Sequence, residues 1–178
     1  MYPKRLILVV VTTLLILAAF LSMTNVTPTT TATMHTTKTK VIRPNTPIYG
    51  KTLQRYIIKC ALRFHVDPAA TLAVACYEGG FTKPKKAGDG GTSFGPWQLH
   101  RRGRLPSGIK NPQQWAFTPN GVKYAICGQA QYVRGMHGYA ATSRIVCKFE
   151  NPANESLCVR LAMSYYQPMK RLVKRLRQ

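Results

Sequence analysis

The chain has 178 residues, enough for one domain with a real core and too few for two ordinary ones. Twenty-six Lys and Arg face five Asp and Glu, a formal charge of +21, which favours a polyanionic surrounding such as nucleic acid, anionic lipid or an acidic wall polymer. No His or Cys cluster has zinc-ligand spacing, so neither a metal nor another cofactor is expected.

Lys4 and Arg5 precede an uncharged apolar run, Leu6–Leu21. Its length falls between a secretory core of about 7–15 residues and a membrane span of about 20. Residues 1–23 therefore read as a hydrophobic helix that is a signal anchor or a signal peptide. Either places the rest of the chain outside the cytoplasm, membrane-anchored or secreted, where envelope polymers are the expected partners and no specific nucleic acid is. Residues 24–48, rich in Thr and Pro, read as a tether that buries too little apolar surface to offset ordering.

The folded part is expected from residue 49 to residue 168. Leu53, Tyr56, Ile57, Cys60, Ala61 and Phe64 recur at the spacing of one helix face, with a stop near His65. Asp67 as cap and Pro68 as first residue then open a helix apolar on all sides, and Gly79 and Gly80 end it. The stretch from Phe81 to Phe117, dense in Gly and Pro, reads as irregular, with a short hairpin about Asp89-Gly90. Thr118 and Pro119 open a further helix to about Gly138, and a shorter one covers Ala140 to Phe149. The last starts at Asn154 or Ser156 and closes at Pro168, leaving residues 169–178 as a basic tail. That tail reads as a frayed, solvated end, with a short amphipathic helix on an anionic membrane as the alternative. The fold class is mainly α, a single domain with one long irregular segment, the kind of segment in which function concentrates. Of the five cysteines, Cys147 and Cys158 bracket a polar loop and are the best candidates for a disulfide.

With so few carboxylates, each can be weighed. Asp67 is taken as a cap, Glu150 and Glu155 sit in a polar loop, and Asp89 before Gly90 suits a turn. Glu78 ends an apolar helix. There both the helix dipole and desolvation favour the protonated form, the state a general acid needs. The competing reading is a surface Glu at a frayed helix end, its charge stabilised by Lys83, Lys85 and Lys86. A cysteine nucleophile would instead need Cys76 activated by His100 or His137.

"DPAATLAVACYEGGF", followed by "GDGGTSFGPWQLH", resembles the signature of lytic transglycosylases and related lysozyme-like muramidases, especially phage and plasmid cell-wall enzymes. The resemblance covers most of residues 50 to 167. It implies a lysozyme-like (α+β) fold and makes Glu78 the catalytic acid, with Gly95-Pro96-Trp97-Gln98-Leu99 as the second motif. Leu161-Ala162-Met163-Ser164-Tyr165-Tyr166 matches a third family element, which gives Tyr165 the aromatic position near the acid; Tyr166 replaces an Asn. The implied reaction cleaves the bond between N-acetylmuramic acid and N-acetylglucosamine in peptidoglycan with one carboxylate and yields a 1,6-anhydro sugar. Asp89 keeps hydrolysis open as an alternative, because it could position a water. A non-catalytic wall-binding module is the other alternative.

Within the irregular segment, Gln98 suits an acetamido or hydroxyl group and Ser93 and Gly95 suit polar contacts or close backbone approach. Trp97 is either a platform for a sugar ring or a core aromatic. Trp115, Phe117, Tyr132 and Tyr139 read as core or cleft wall.

Overall fold

The computed structural model describes residues 42–83, 87–101, 103–150 and 154–178. The expected apolar segment at 1–23 and most of the expected tether lie outside these residues. Among the described residues no helix is long and apolar enough to cross a membrane.

The domain is mainly helical. Its helices are α1 (Gly50–Arg63), α2 (Pro68–Glu78), α3 (Pro112–Trp115), α4 (Pro119–Val133), α5 (Gly138–Arg144) and α6 (Glu155–Arg177). A π-helical turn, Ile145–Glu150, follows α5. Between α2 and α3 run a 3-10 turn, Asp89–Gly91, and the antiparallel pair β1 (Ser93–Phe94) and β2 (Leu99–His100), in register Ser93 to His100 and Phe94 to Leu99.

Helix α2 is the centre. Its Leu72, Ala73, Val74 and Ala75 are completely buried, and α1, α5 and α6 all pack on it. The helix's four alanines, Ala69, Ala70, Ala73 and Ala75, let neighbouring backbones approach, which explains why it is apolar all round and not on one stripe. Its start is fixed as the sequence suggests: Asp67 Oδ1 accepts from the amides of Ala69 at 2.8 Å and Ala70 at 3.4 Å, and Pro68 occupies the first turn. The second carboxylate oxygen reaches further. Asp67 Oδ2 accepts from the amide of Gly138 at 2.9 Å and the hydroxyl of Tyr166 at 2.9 Å, tying α2 to the starts of α5 and the middle of α6.

Thr118 caps α4 by accepting from the Gly121 amide, and Asn154 caps α6 by accepting from the Leu157 amide. Four expectations are corrected. First, Pro168 does not close the last helix: α6 continues to Arg177 because Tyr166, Met169, Val173 and Leu176 lie against the core. That packing outweighs the one helical hydrogen bond a proline removes. The basic tail is thus the exposed side of a docked helix, and its apolar side is not free to enter a membrane. Second, the tether ends early. Ile48 is buried and donates its amide to the Phe117 carbonyl at 3.0 Å, and the Pro44 carbonyl accepts from the Asn120 amide. Third, α4 ends at Val133, where Arg134 turns extended and Gly135 takes φ 75° to bond the His65 carbonyl. Fourth, Cys147 and Cys158 are free. The Cys158 sulfur accepts from the Tyr77 hydroxyl at 3.3 Å, whereas Cys147 lies 3.9 Å from the Ser143 hydroxyl.

Candidate active site

Glu78 is the last residue of α2 and is half-buried. Burial pushes its carboxyl above the ordinary carboxylate range, and the negative charge of Asp89 adds to the shift. Both effects favour the protonated form. The adjacent Tyr77 fixes this end of the helix through its bond to Cys158. That bond, then burial and the charges of Cys158 and Glu78, push the phenol up to about 12.

The second motif lies directly on this helix end. A Cβ on Gly79 would meet the Gly95 carbonyl at 2.3 Å and the Gln98 amide nitrogen at 3.0 Å. A Cβ on Gly88 would meet the Gln98 side-chain oxygen at 2.0 Å. Gln98 therefore sits between the residue after Glu78 and the residue before Asp89, held by its own amide donating to the Gly95 carbonyl at 2.9 Å. Gly95 takes φ 80° and a Cβ there would lie 2.4 Å from that of Ala116, so the turn Gly95–Gln98 is wedged between α2 and α3. Gly79→Ala should cost about 2 kcal/mol by overpacking and move the turn away from Glu78. Paired thermal melts and activity assays will read both effects.

Asp89 is exposed, adopts φ 47°, and accepts from the buried Ser93 hydroxyl. That bond fixes the turn carrying the second carboxylate. The expected hairpin about Asp89-Gly90 is instead a 3-10 turn closed by a bridge between Gly88 and Ser93, and the true hairpin turns at Gly95–Gln98.

The structure thus brings Glu78, Asp89, Ser93, Gly95 and Gln98 together. It does not bring Trp97 or Tyr165 to them as sugar contacts. Trp97 is 1 % exposed and its indole N–H donates to the Thr71 carbonyl at 3.0 Å, so it is a core residue pinning the turn to α2. Tyr165 is exposed and lies far along the helix. Tyr77 faces Cys158 while Asp67 faces Tyr166, so α2 and α6 run antiparallel. At 1.5 Å per residue, Tyr165 is displaced from the level of Glu78 by about 12 Å. The buried tyrosine is Tyr166, and it serves Asp67 at the opposite end of α2.

Tyr139 is 65 % exposed and forms no part of the core, unlike Phe117. Cys76 does not suit a nucleophile: burial raises its thiol, the opposite of what a thiolate needs, and His137 lies beside Asp67 at the far end of the helix. Two participants were not singled out by sequence: Tyr77, and Thr71, whose hydroxyl donates to the buried Gln129 at 3.0 Å while its carbonyl takes the Trp97 indole. Only the position of Tyr77 beside Glu78 hinted at its role.

Compared with family models, with curated proteins and with solved structures, the chain shows no match. The chemistry of the site therefore rests on its own residues.

Proposed function

We propose that the domain cleaves peptidoglycan glycan strands as a lytic transglycosylase of lysozyme-like fold, with Glu78 as its acid and then its base. The observation that carries this reading is a half-buried carboxyl with a raised pKa, held at a helix end against the Gly95–Gln98 turn. A carboxylic acid that keeps its proton to higher pH than an ordinary carboxyl is better matched to protonating a leaving glycosidic oxygen. As the bond to the anomeric carbon of N-acetylmuramic acid breaks, positive charge develops on that sugar. The Glu78 carboxylate then takes the proton of the same sugar's C6 hydroxyl, whose oxygen closes on the anomeric carbon. The products are a 1,6-anhydro end and a free N-acetylglucosamine end; no water is consumed. Gln98, with its side-chain N–H partly committed to Gly95, is the group we assign to a sugar amide or hydroxyl.

Hydrolysis is the second reading, favoured by the closeness of Asp89, whose charge is felt at Glu78. Asp89→Asn separates the two. Removing that charge lets the Glu78 carboxyl fall towards its ordinary value, so the activity limb that declines with rising pH should move to lower pH. Burial, the larger cause, remains, so the move will be partial. A transglycosylase should keep its anhydro product in this variant, and a muramidase using Asp89 should lose cleavage.

The basic surface and the apolar segment at 1–23 fit a domain held in the envelope, near anionic polymers and a membrane. Turbidity of purified sacculi tests the enzymatic reading against a wall-binding module. An enzyme clears the suspension, while a binder only cosediments.

A further inference from the structure

A pocket of about 260 Å³ lies beside α3, lined by Asn45, Lys110, Asn111, Gln114, Trp115 and Thr118 among others. Its polar groups are divided in a way that sets its ligand. Asn111 Oδ1 accepts from the Gln114 amide at 3.1 Å, and Asn45 Oδ1 accepts from the Asn120 side chain at 2.8 Å. Thr118 spends its hydroxyl on the Trp115 carbonyl and the Gly121 amide. The side-chain N–H groups of Asn45, Asn111 and Gln114 and the Lys110 ammonium make no hydrogen bond among the described residues. The pocket therefore offers donors from four side chains, with the Gln114 side-chain oxygen as an open acceptor beside them. Beside them stands Trp115, half-exposed and braced edge-on by Tyr124 with ring centroids 5.6 Å apart. An aromatic face with several amide donors fits an uncharged, acceptor-bearing ring better than a nucleophile or a metal.

We infer that this pocket is a second saccharide site that binds an N-acetylated hexosamine, with Trp115 under the ring and the Asn111, Gln114 and Lys110 donors on its acetamido and hydroxyl oxygens. The close contacts from Gly79 to Gly95 and from Gly95 to Ala116 put the Trp115 backbone no more than about 15 Å from that of Gly79, by summing bond lengths over those contacts. A short oligosaccharide spans that distance, so one glycan chain could engage both places. The inference does not need Glu78 to be catalytic: a protein that binds sugar here without cleaving leaves it intact.

The chain has two tryptophans, and Trp97 is buried, so acrylamide quenching of indole fluorescence reports on Trp115. Titrating the full chain carrying Glu78→Gln with a β-1,4 tetramer of N-acetylglucosamine should protect the quenchable indole. Trp115→Phe should remove the quenchable signal and weaken tetramer binding by at least about tenfold, read by calorimetry. Because Trp115 also touches the core, a second variant on exposed side chains, Lys110→Ala with Gln114→Ala, should weaken binding by several-fold while leaving thermal stability unchanged. Asn111→Asp, which keeps the helix-capping oxygen and loses the donors, should act in the same direction. Unchanged tetramer affinity in these variants, or no protection of Trp115 at saturation, would overturn the site.

Discussion

Glu78→Gln should lower glycan cleavage by about 10³-fold or more, with binding of sacculi retained. Gln is nearly the same shape and keeps an amide at the helix end, but it has no proton to give to the leaving oxygen and no charge with which to take one back. The same variant should be the more stable protein at neutral pH. The folded Glu78 carboxyl is raised above its unfolded value of 4.5, so the wild-type chain has its full stability below that value and loses some as pH rises through the folded value. Gln carries no such loss. Thermal melts should therefore show the variant gaining on the wild type as pH rises and matching it most closely in acid. A residue kept at a cost in stability is what a functional carboxylate at this position implies.

The largest effect on stability is expected at the other end of the same helix. Asp67 is 5 % exposed and accepts from two amides of its own helix, from Gly138 and from Tyr166. Asp67→Ala removes a helix cap and leaves a buried phenol and an amide without acceptors, a loss of about 3–5 kcal/mol. For a domain of this size that lowers the melting temperature by roughly 10–20 °C. Tyr166→Phe removes one hydrogen bond and should cost about 1 kcal/mol. It should also change the alkaline limb. Burial first, and the bond to Asp67 second, push the Tyr166 phenol up to about 12 from 10.0. An acid whose folded pKa is raised gives stability that is complete below pH 10 and disappears between about 10 and 12. Denaturant melts across that range should decline more steeply for the wild type than for Tyr166→Phe.

Features set within a few residues were legible in the sequence. The Asp67-Pro68 start, the Gly79 stop and the Thr118-Pro119 start are local chemistry, and the structure contains each of them. Glu78 stood out because a carboxylate ending an apolar helix is unfavourable wherever the helix lies. Other features depended on what packs against a residue. Gly79 reads as a helix stop, yet its spatial role is to admit the Gly95 carbonyl, which only the folded chain reveals. Trp97 reads as a sugar platform or a core aromatic and Trp115 as core or cleft wall; only the folded chain shows the first sealed in the core and the second half-open. Tyr165 and Tyr166 differ by 100° around one helix, so a one-residue ambiguity in a motif exchanges an exposed ring for a buried one. Pro168 does not end its helix, because a local breaker yields to an apolar face of four residues, Tyr166, Met169, Val173 and Leu176, packed on the core.

Mass spectrometry of muropeptides released from purified sacculi, by the wild-type protein and by Glu78→Gln in parallel, tests the central claim most directly. The account predicts fragments ending in 1,6-anhydro-N-acetylmuramic acid from the wild type and almost none from the variant. Release of the same fragments by both proteins, or by neither, would contradict it.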